Sequence, residues 1–252
     1  MRIELVKNLV RETGQRALAY AGRFQSVLKA DTSPVTEADL FIQEFLAHRL
    51  KSLFPPYKFM AEEKVNRFEN IGYDDYVWVI DPIDGTDAFR EGLPVWGVSV
   101  GLVHRFQPVL GVFYMPCSDT MFYRDENGTA YMNGKVITRP EGHISRTVYV
   151  TSGFHRHFEV GFKGKIRALG STVAHLCYLA LGAGQGAVIK GFPWDVIAGY
   201  AILEATGGRL FTLDQKPFDI EQMMRSGDKT PFIVASPHAG YPDFAYGLIP
   251  KS

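Results

Sequence analysis

The residues best suited to chemistry stand in one short stretch, "WVIDPIDGTDAF", residues 78–89. The apolar run Val77-Trp78-Val79-Ile80 stops at Asp81. Asp81, Asp84 and Asp87 then fall within seven residues, before a second apolar stretch resumes at Pro94-Val95-Trp96. Asp81-Pro82-Ile83-Asp84 has the form of a turn, with proline presetting φ at the second position. A turn brings its first and fourth residues close, so the carboxylates of Asp81 and Asp84 can converge. Two such groups repel, and one takes up a proton unless a cation neutralises both. An all-oxygen environment suits a hard divalent ion such as Mg²⁺, and the carbonyl of Ile83 can join it. Gly85-Thr86 adds two main-chain N–H groups where the chain turns again; if a helix opens there, they favour phosphate. On these residues alone the plainer reading stays open, in which Asp84 or Asp87 caps that helix and Asp81 ends a strand.

A two-metal site needs further carboxylates, and the sequence offers three places to find them. Glu62-Glu63 follows a short strand-like segment as Asp81 follows its own; adjacent side chains diverge in extended chain, so one of the pair is expected to face the metals. Read alone, the pair also fits a solvated loop with Lys64. Asp195, in "GFPWDVIAGYAILEATGG", either joins the cluster or caps a helix. Asp39, in "SPVTEAD", either does the same or belongs to a capping box.

The elements that must position these residues show in the pattern of apolar side chains. Residues 3–24 read as an amphipathic helix through Ile3, Val6, Leu9, Val10, Ala17 and Ala21. A second helix follows Ser33-Pro34, carries Phe41, Phe45, Leu46, Leu50 and Leu53 inward, and ends at Pro55-Pro56. Strands are expected at Tyr57–Met60, Tyr76–Ile80, Val95–Val103, Val109–Tyr114 and Met121–Tyr123, with hairpin turns at Asn127-Gly128 and Asn133-Gly134. Thr147–Thr151 and Phe232–Ala235 read as strands. Val173–Leu181 reads as a helix opening after Gly170-Ser171-Thr172, and Val196–Ala205 as a helix closed by Gly207-Gly208. The chain reads as two closely packed halves, 1–140 and 141–252, with a seam near residues 138–146.

The totals narrow the function classes. The 252 residues are 46% apolar and 21% charged, and 27 basic residues balance 27 acidic ones. No overall field favours nucleic acid or an anionic membrane, so any anion site must be local. Cys117 and Cys177 lie sixty residues apart with no metal-ligand spacing; they read as two buried thiols in a reducing cytosol. The N-terminus is charged throughout, and no apolar run reaches the ~20 residues of a membrane span. A cytoplasmic protein is expected. His155 and His157, flanking Arg156, read as exposed polar residues, and Trp78, Trp96 and Trp194 as packing.

"WVIDPIDGTDAF", "AEE" some twenty residues before it, "PWDVIAGYAILEATGG" more than a hundred after it, and "SPVTEAD" form an ordered set. Together they resemble the inositol monophosphatase family, within the Mg²⁺-dependent, lithium-sensitive sugar phosphatases. The resemblance spans about residues 25–220. It implies an α/β (α+β) fold, a layered αβαβα sandwich, and hydrolysis of a small-molecule phosphate monoester by metal-activated water. It further implies metal binding by Glu62, Asp81, the carbonyl of Ile83, Asp84 and Asp195, with two or three Mg²⁺ ions. Asp39 and Thr86 are expected to help activate the attacking water, with Glu62 also serving catalysis. The Gly85 and Thr86 N–H groups would hold phosphate, and Gly170-Ser171-Thr172 would contact the substrate's hydroxyls. A homodimer is expected, without nucleic-acid or membrane partners.

The chain departs from the inositol-specific pattern in one place. Those relatives carry a glutamate several residues before the W-D motif, where "AVIKGFPWD" has Val188, Ile189 and Lys190 and no acid. Lys190 either is solvated or binds a second anionic group. The stretch "DAFREGLPVWG" resembles histidinol-phosphate phosphatases as much as inositol phosphatases. Inositol phosphate, histidinol phosphate and other sugar phosphates therefore head the expected substrates, followed by fructose-1,6-bisphosphate and 3'-phosphonucleotides. A regulator that binds phosphorylated ligands without turnover is the alternative from a different class. Lys29, just before "SPVTEAD", is a further candidate for approach to phosphate.

Overall fold

Apolar side chains at helical and alternating spacing fold here into two large sheets separated and flanked by helices, with two further two-stranded pairings, Val27–Leu28 with Pro34–Val35 and Phe158–Val160 with Leu248–Pro250. The computed structural model describes residues 2–22, 27–28, 34–35, 37–62, 71–139 and 145–251, with the backbone alone at 2, 27, 28, 34, 35 and 37–39. The helices are α1 (Arg2–Leu18), α2 (Glu37–Leu53), α3 (Thr86–Arg90), α4 (Thr172–Ala180), α5 (Pro193–Ala205) and α6 (Ile220–Ser226). The strands are β1 (Val27–Leu28), β2 (Pro34–Val35), β3 (Lys58–Ala61), β4 (Tyr76–Asp84), β5 (Gly97–His104), β6 (Gln107–Met115), β7 (Thr120–Arg124), β8 (Ala130–Met132) and β9 (Lys135–Val136). They continue with β10 (Thr147–Val150), β11 (Phe158–Val160), β12 (Lys165–Arg167), β13 (Gly186–Ile189), β14 (Arg209–Thr212), β15 (Ile233–Ser236) and β16 (Leu248–Pro250).

β3 through β9 form a seven-stranded sheet in chain order, and a five-stranded sheet has the order β12-β10-β13-β15-β14. In the first sheet β3 runs parallel to β4, and the remaining neighbours are antiparallel. Helices α1 and α2 cover one face of that sheet, where Val6, Val10, Leu46 and Leu50 meet Trp78, Ile80, Trp96 and Val112. Helices α4 and α5 lie between the two sheets, with Leu176, Val196 and Ile197 in the same core as Val79, Phe113, Ala187 and Ala235. The outer face of the five-stranded sheet buries Val148, Val188 and Val234 under Phe154, Phe158 and Phe244. The order of layers is helix, sheet, helix, sheet, with aromatic segments closing the last face.

The central helix sits close because the sheet beneath it lacks side chains at one point. A Cβ built on Gly111 of β6 would lie 2.5 Å from the Ala198 carbonyl oxygen and 2.9 Å from the Ala201 Cβ. Neither backbone nor helix can yield there without α5 lifting off.

Several sequence expectations shift. In α2 the buried stripe is Ile42, Leu46 and Leu50, spaced by four, whereas Phe41 is 46% and Leu53 41% exposed. Only one apolar stripe of a surface helix faces the sheet, and Phe41 and Leu53 fall beside it. Phe45 is half-buried, with Arg16 and Arg49 over its ring at 4.8 and 5.6 Å. Cys117 is exposed, in a 3₁₀ turn at Pro116–Ser118, while Cys177 is buried in α4. The two asparagine-glycine turns join β7 to β8 and β8 to β9, and Asn133 takes positive φ as such a turn requires. The three tryptophans are at most 1% exposed. No described helix is long and apolar enough to cross a membrane.

Gly111→Ala is expected to cost about 1–3 kcal/mol through overpacking. Urea unfolding would measure it, and a variant as stable as the parent would show that α5 is not seated on this glycine.

Candidate active site

In a regular strand, residues three apart face opposite sides, so Asp81 and Asp84 would diverge. β4 avoids this with a bulge: Asp81 pairs with Ser99 and Asp84 with Gly97, so three steps on β4 match two on β5. The Asp-Pro-Ile-Asp segment is thus an irregular strand end rather than the free turn expected from its proline. The bulge re-aims the strand and gathers both carboxylates on one side. The Ile83 N–H donates to Asp81 Oδ1 at 2.9 Å, which fixes the bend from within.

Parallel pairing brings the next acid. Ala61, the end of β3, lies opposite Ile80, and the Glu62 N–H donates to the Ile80 carbonyl at 3.3 Å. Glu62 therefore emerges beside Asp81. Glu63 and Lys29 lie outside the described residues. So does the side chain of Asp39, whose backbone stands in the first turn of α2.

Asp195 comes from the helix layer between the sheets. It is in the first turn of α5, directly after β13, and its Oδ2 accepts from the Phe192 N–H at 2.6 Å. The capping role weighed from the sequence is therefore real, and it coexists with membership of the cluster. Oxygens of Asp81, Asp84 and Asp195 all lie within 4.8 Å of one another.

The opening of α4 closes on Asp84. Thr172 N–H donates to Asp84 Oδ1 at 3.2 Å and Val173 N–H to Oδ2 at 3.0 Å, while the Ser171 hydroxyl donates to Oδ2. Ser171 is fully buried and also accepts from the Ala174 N–H, so its polar atom is committed to Asp84 and the helix cap. Gly85 takes φ 96°, and a Cβ there would stand 3.1 Å from the Val95 carbonyl oxygen and 3.3 Å from that of Gly170. Only glycine passes between these walls in this conformation. Thr86 opens α3 with its hydroxyl donating to the Ile83 carbonyl at 3.1 Å.

Lys190 continues the face of β13 that carries Val188, and its Nζ lies 5.2 Å over the Phe232 ring on the outer side of the sheet. The cation that acts on Asp195 is instead Lys229, which stands 5.5 Å over the Phe192 ring. Thr230 and Gly191 exchange hydrogen bonds, Thr230 N–H to the Gly191 carbonyl at 2.8 Å and Gly191 N–H to Thr230 Oγ1 at 3.2 Å, which docks Lys229 at this rim. Nothing in the sequence marks Lys229. His155 and His157 are exposed, as expected.

Burial pushes the Asp84 carboxyl well above the ordinary range; its three hydrogen-bond donors pull it down in part, and the charge of Glu62 adds to the rise. Asp195 is raised by burial, then by the charges of Glu62 and Asp84, against smaller opposing pulls from Phe192 N–H and Lys229. A cluster that resists ionisation when empty is one that gains from a hard cation, and its oxygen donors fit a divalent ion.

A sequence model of the inositol monophosphatase family matches residues 3–227. The chain belongs to the inositol monophosphatase family. It is 31% identical over 215 residues to the Aquifex aeolicus "Fructose-1,6-bisphosphatase/inositol-1-monophosphatase", covering 80% of each chain. It is likewise 31% identical to the Mesorhizobium japonicum "Inositol-1-monophosphatase", covering 75% of this chain and 76% of that one. Thermotoga maritima IMPase superposes with a TM-score of 0.77 at 27% identity, over 94% of this chain and 92% of that one. Inositol monophosphatase family proteins are metal-dependent phosphoric monoester hydrolases, and this chain is one of their number; Asp81, Asp84 and Asp195 are placed to bind a metal.

The raised carboxyls bind protons more tightly folded than unfolded. Their contribution to stability is therefore full below the ordinary carboxylate range near about pH 4 and is lost as pH rises above it. A divalent cation held by the cluster would relieve that loss. The gain in Tm on replacing EDTA by excess Mg²⁺ is expected to grow between about pH 5 and about pH 8. A gain that is flat across this range in scanning calorimetry would contradict the cluster.

Proposed function

We propose that this protein is a Mg²⁺-dependent phosphatase acting on a small polyol phosphate monoester of the inositol-1-phosphate type. The observation that carries the reading is the convergence of Asp81, Asp84 and Asp195 within 4.8 Å, from strand β4 and helix α5. Glu62, Asp81, the Ile83 carbonyl, Asp84 and Asp195 would hold two or three Mg²⁺ ions. When bound, the ions supply charge neutralisation for the ester oxygens and acidify water.

The protein's own residues supply position. Gly85 and Thr86 N–H groups hold the phosphate where α3 begins. The Thr86 hydroxyl, relayed to Asp39, orients a water for in-line attack and passes on its proton, with Glu62 as a further acceptor at the same edge. Attack is direct, so no covalent phosphoenzyme forms, and charge and alignment account for most of the acceleration. Gly170 and Thr172 face the alcohol portion of the ester, with Ser171 holding the loop; Lys190, turned to the outer side of the sheet over Phe232, takes no part.

Specificity is expected to be broad. The strand before the Trp194-Asp195 pair offers Val188, Ile189 and Lys190, and Val188 and Ile189 are fully buried. That strand therefore lends no carboxylate to a ring hydroxyl, and a site without that buried acceptor discriminates weakly between polyols.

A panel of inositol-1-phosphate, histidinol phosphate, fructose-1,6-bisphosphate and a 3'-phosphonucleotide, assayed for phosphate release with Mg²⁺ and again with lithium, tests the reading. Mg²⁺-dependent, lithium-inhibited release from inositol-1-phosphate is expected. Retained binding of phosphate esters with no release from any of them would identify a regulator instead. Asp84→Asn is expected to lower kcat by on the order of 10³-fold, equivalent to about 4 kcal/mol, with the fold intact by circular dichroism. Near-normal turnover in that variant would sink the assignment.

A further inference from the structure

His175 is a titratable side chain that the reaction above does not use. It lies in α4, one turn beyond Ser171, and is 1% exposed. Its Nε2 accepts from the Leu169 N–H at 3.0 Å, and its ring stacks on Tyr149 with centroids 5.4 Å apart. The acceptor role places the proton of the neutral ring on Nδ1. That Nδ1 is buried and has no hydrogen-bond partner among the described residues.

A buried N–H without a partner costs stability, and an apolar side chain would remove that cost at Nδ1 but leave the Leu169 N–H without its acceptor. The one polar contact that offsets the buried Nδ1–H is therefore the one with Leu169. That contact closes the turn running from Leu169 through Gly170, at φ +93°, to the first turn of α4. The same turn delivers the Ser171 hydroxyl and the Thr172 and Val173 N–H groups to Asp84. Burial pushes the imidazole down to about 3, so the ring stays neutral and remains an acceptor throughout the working range.

We propose that His175 is a positioning residue for Asp84: by holding Leu169 it fixes the turn whose three donors aim the Asp84 carboxylate at the metal site. The inference rests on the proposed role of Asp84 as a metal ligand. The His175–Leu169 contact acts two steps away from the carboxylate, so its effect is on metal affinity and alignment rather than on any proton transfer.

Mn²⁺ titrations by calorimetry on the full chain, with thermal unfolding in EDTA alongside, test this in wild type, His175→Leu, His175→Gln and Asp84→Asn. His175→Leu is expected to unfold within a few degrees of wild type, because removing the unpaired Nδ1–H offsets the lost acceptor for Leu169, yet to bind Mn²⁺ roughly 10-fold more weakly, the scale of losing a residue that orients a ligand. His175→Gln, whose amide oxygen reaches about as far as Nε2, is expected to recover most of that affinity. Wild-type affinity in His175→Leu would overturn the inference, as would a glutamine variant as weak as the leucine one. Asp84→Asn binding Mn²⁺ like wild type would instead overturn the metal-site reading itself.

Discussion

Three carboxylates held within 4.8 Å of one another, in a largely buried place, are the constraint around which this molecule is arranged. Burial raises both Asp84 and Asp195, the charge of Glu62 adds to the rise of each, and the charge of Asp84 adds to that of Asp195. Nothing in the core gains from that arrangement, so it has to be imposed by elements whose own stability comes from elsewhere. The bulge in β4, the parallel pairing of β3 with β4, and the first turns of α4 and α5 impose it together. Each supplies one or two oxygens, or the donors that hold them.

The donors on Asp84 show how the electrostatic conflict is kept from unfolding the site. Two N–H groups and a hydroxyl at the opening of α4 converge on one carboxylate, the usual way a helix start satisfies its free donors. Here the acceptor comes from a strand in the other sheet, so one set of hydrogen bonds both caps a helix and joins the two sheets. Asp195 does the same on a smaller scale, accepting from the Phe192 N–H while facing the cluster. Capping and ligation are compatible because a carboxylate has two oxygens and several lone pairs.

Much of this was legible in the sequence because the motifs report local geometry. The apolar run before Asp81 announced strand β4, and the glycine at 85 the change of direction after it, although β4 runs on through Pro82 to Asp84. What they could not show was the bulge, since register slippage depends on Ser99 and Gly97 across the ladder. Strand β13 was equally hidden: buried along its whole length, Gly186–Ile189 has no alternation to betray it. Helix α6 did carry signals, Asp219 accepting from the Gln222 N–H at its start and Gly227 in left-handed conformation at its end. Its short polar run masked them. Phe41 and Leu53 misled because an apolar residue beside the buried stripe is indistinguishable by type from one within it. Lys229 lies after α6 and reaches Asp195 only through the Gly191–Thr230 contacts, so no spacing could have announced it.

The placement of the ligands also bears on how activity and stability are shared in this fold. Asp81, Asp84 and Glu62 belong to the seven-stranded sheet, whereas Asp195 and the α4 donors belong to the segment that builds the five-stranded one. The site therefore exists only once α4 and α5 are seated between the sheets, and the seating depends on apolar contacts such as Ile197 against Gly101 and Ala198 against Gly111. Core packing supplies the free energy and the carboxylates consume part of it. A cation returns that part, since binding to the folded chain alone stabilises it by mass action. A metal held there would be a structural tie across the middle layer as well as serving the proposed reaction, and loss of Asp84 or Asp195 would weaken the same junction. A site assembled across two sheets in this way is rigid without needing a dedicated scaffold, because the layers that carry it are the core itself.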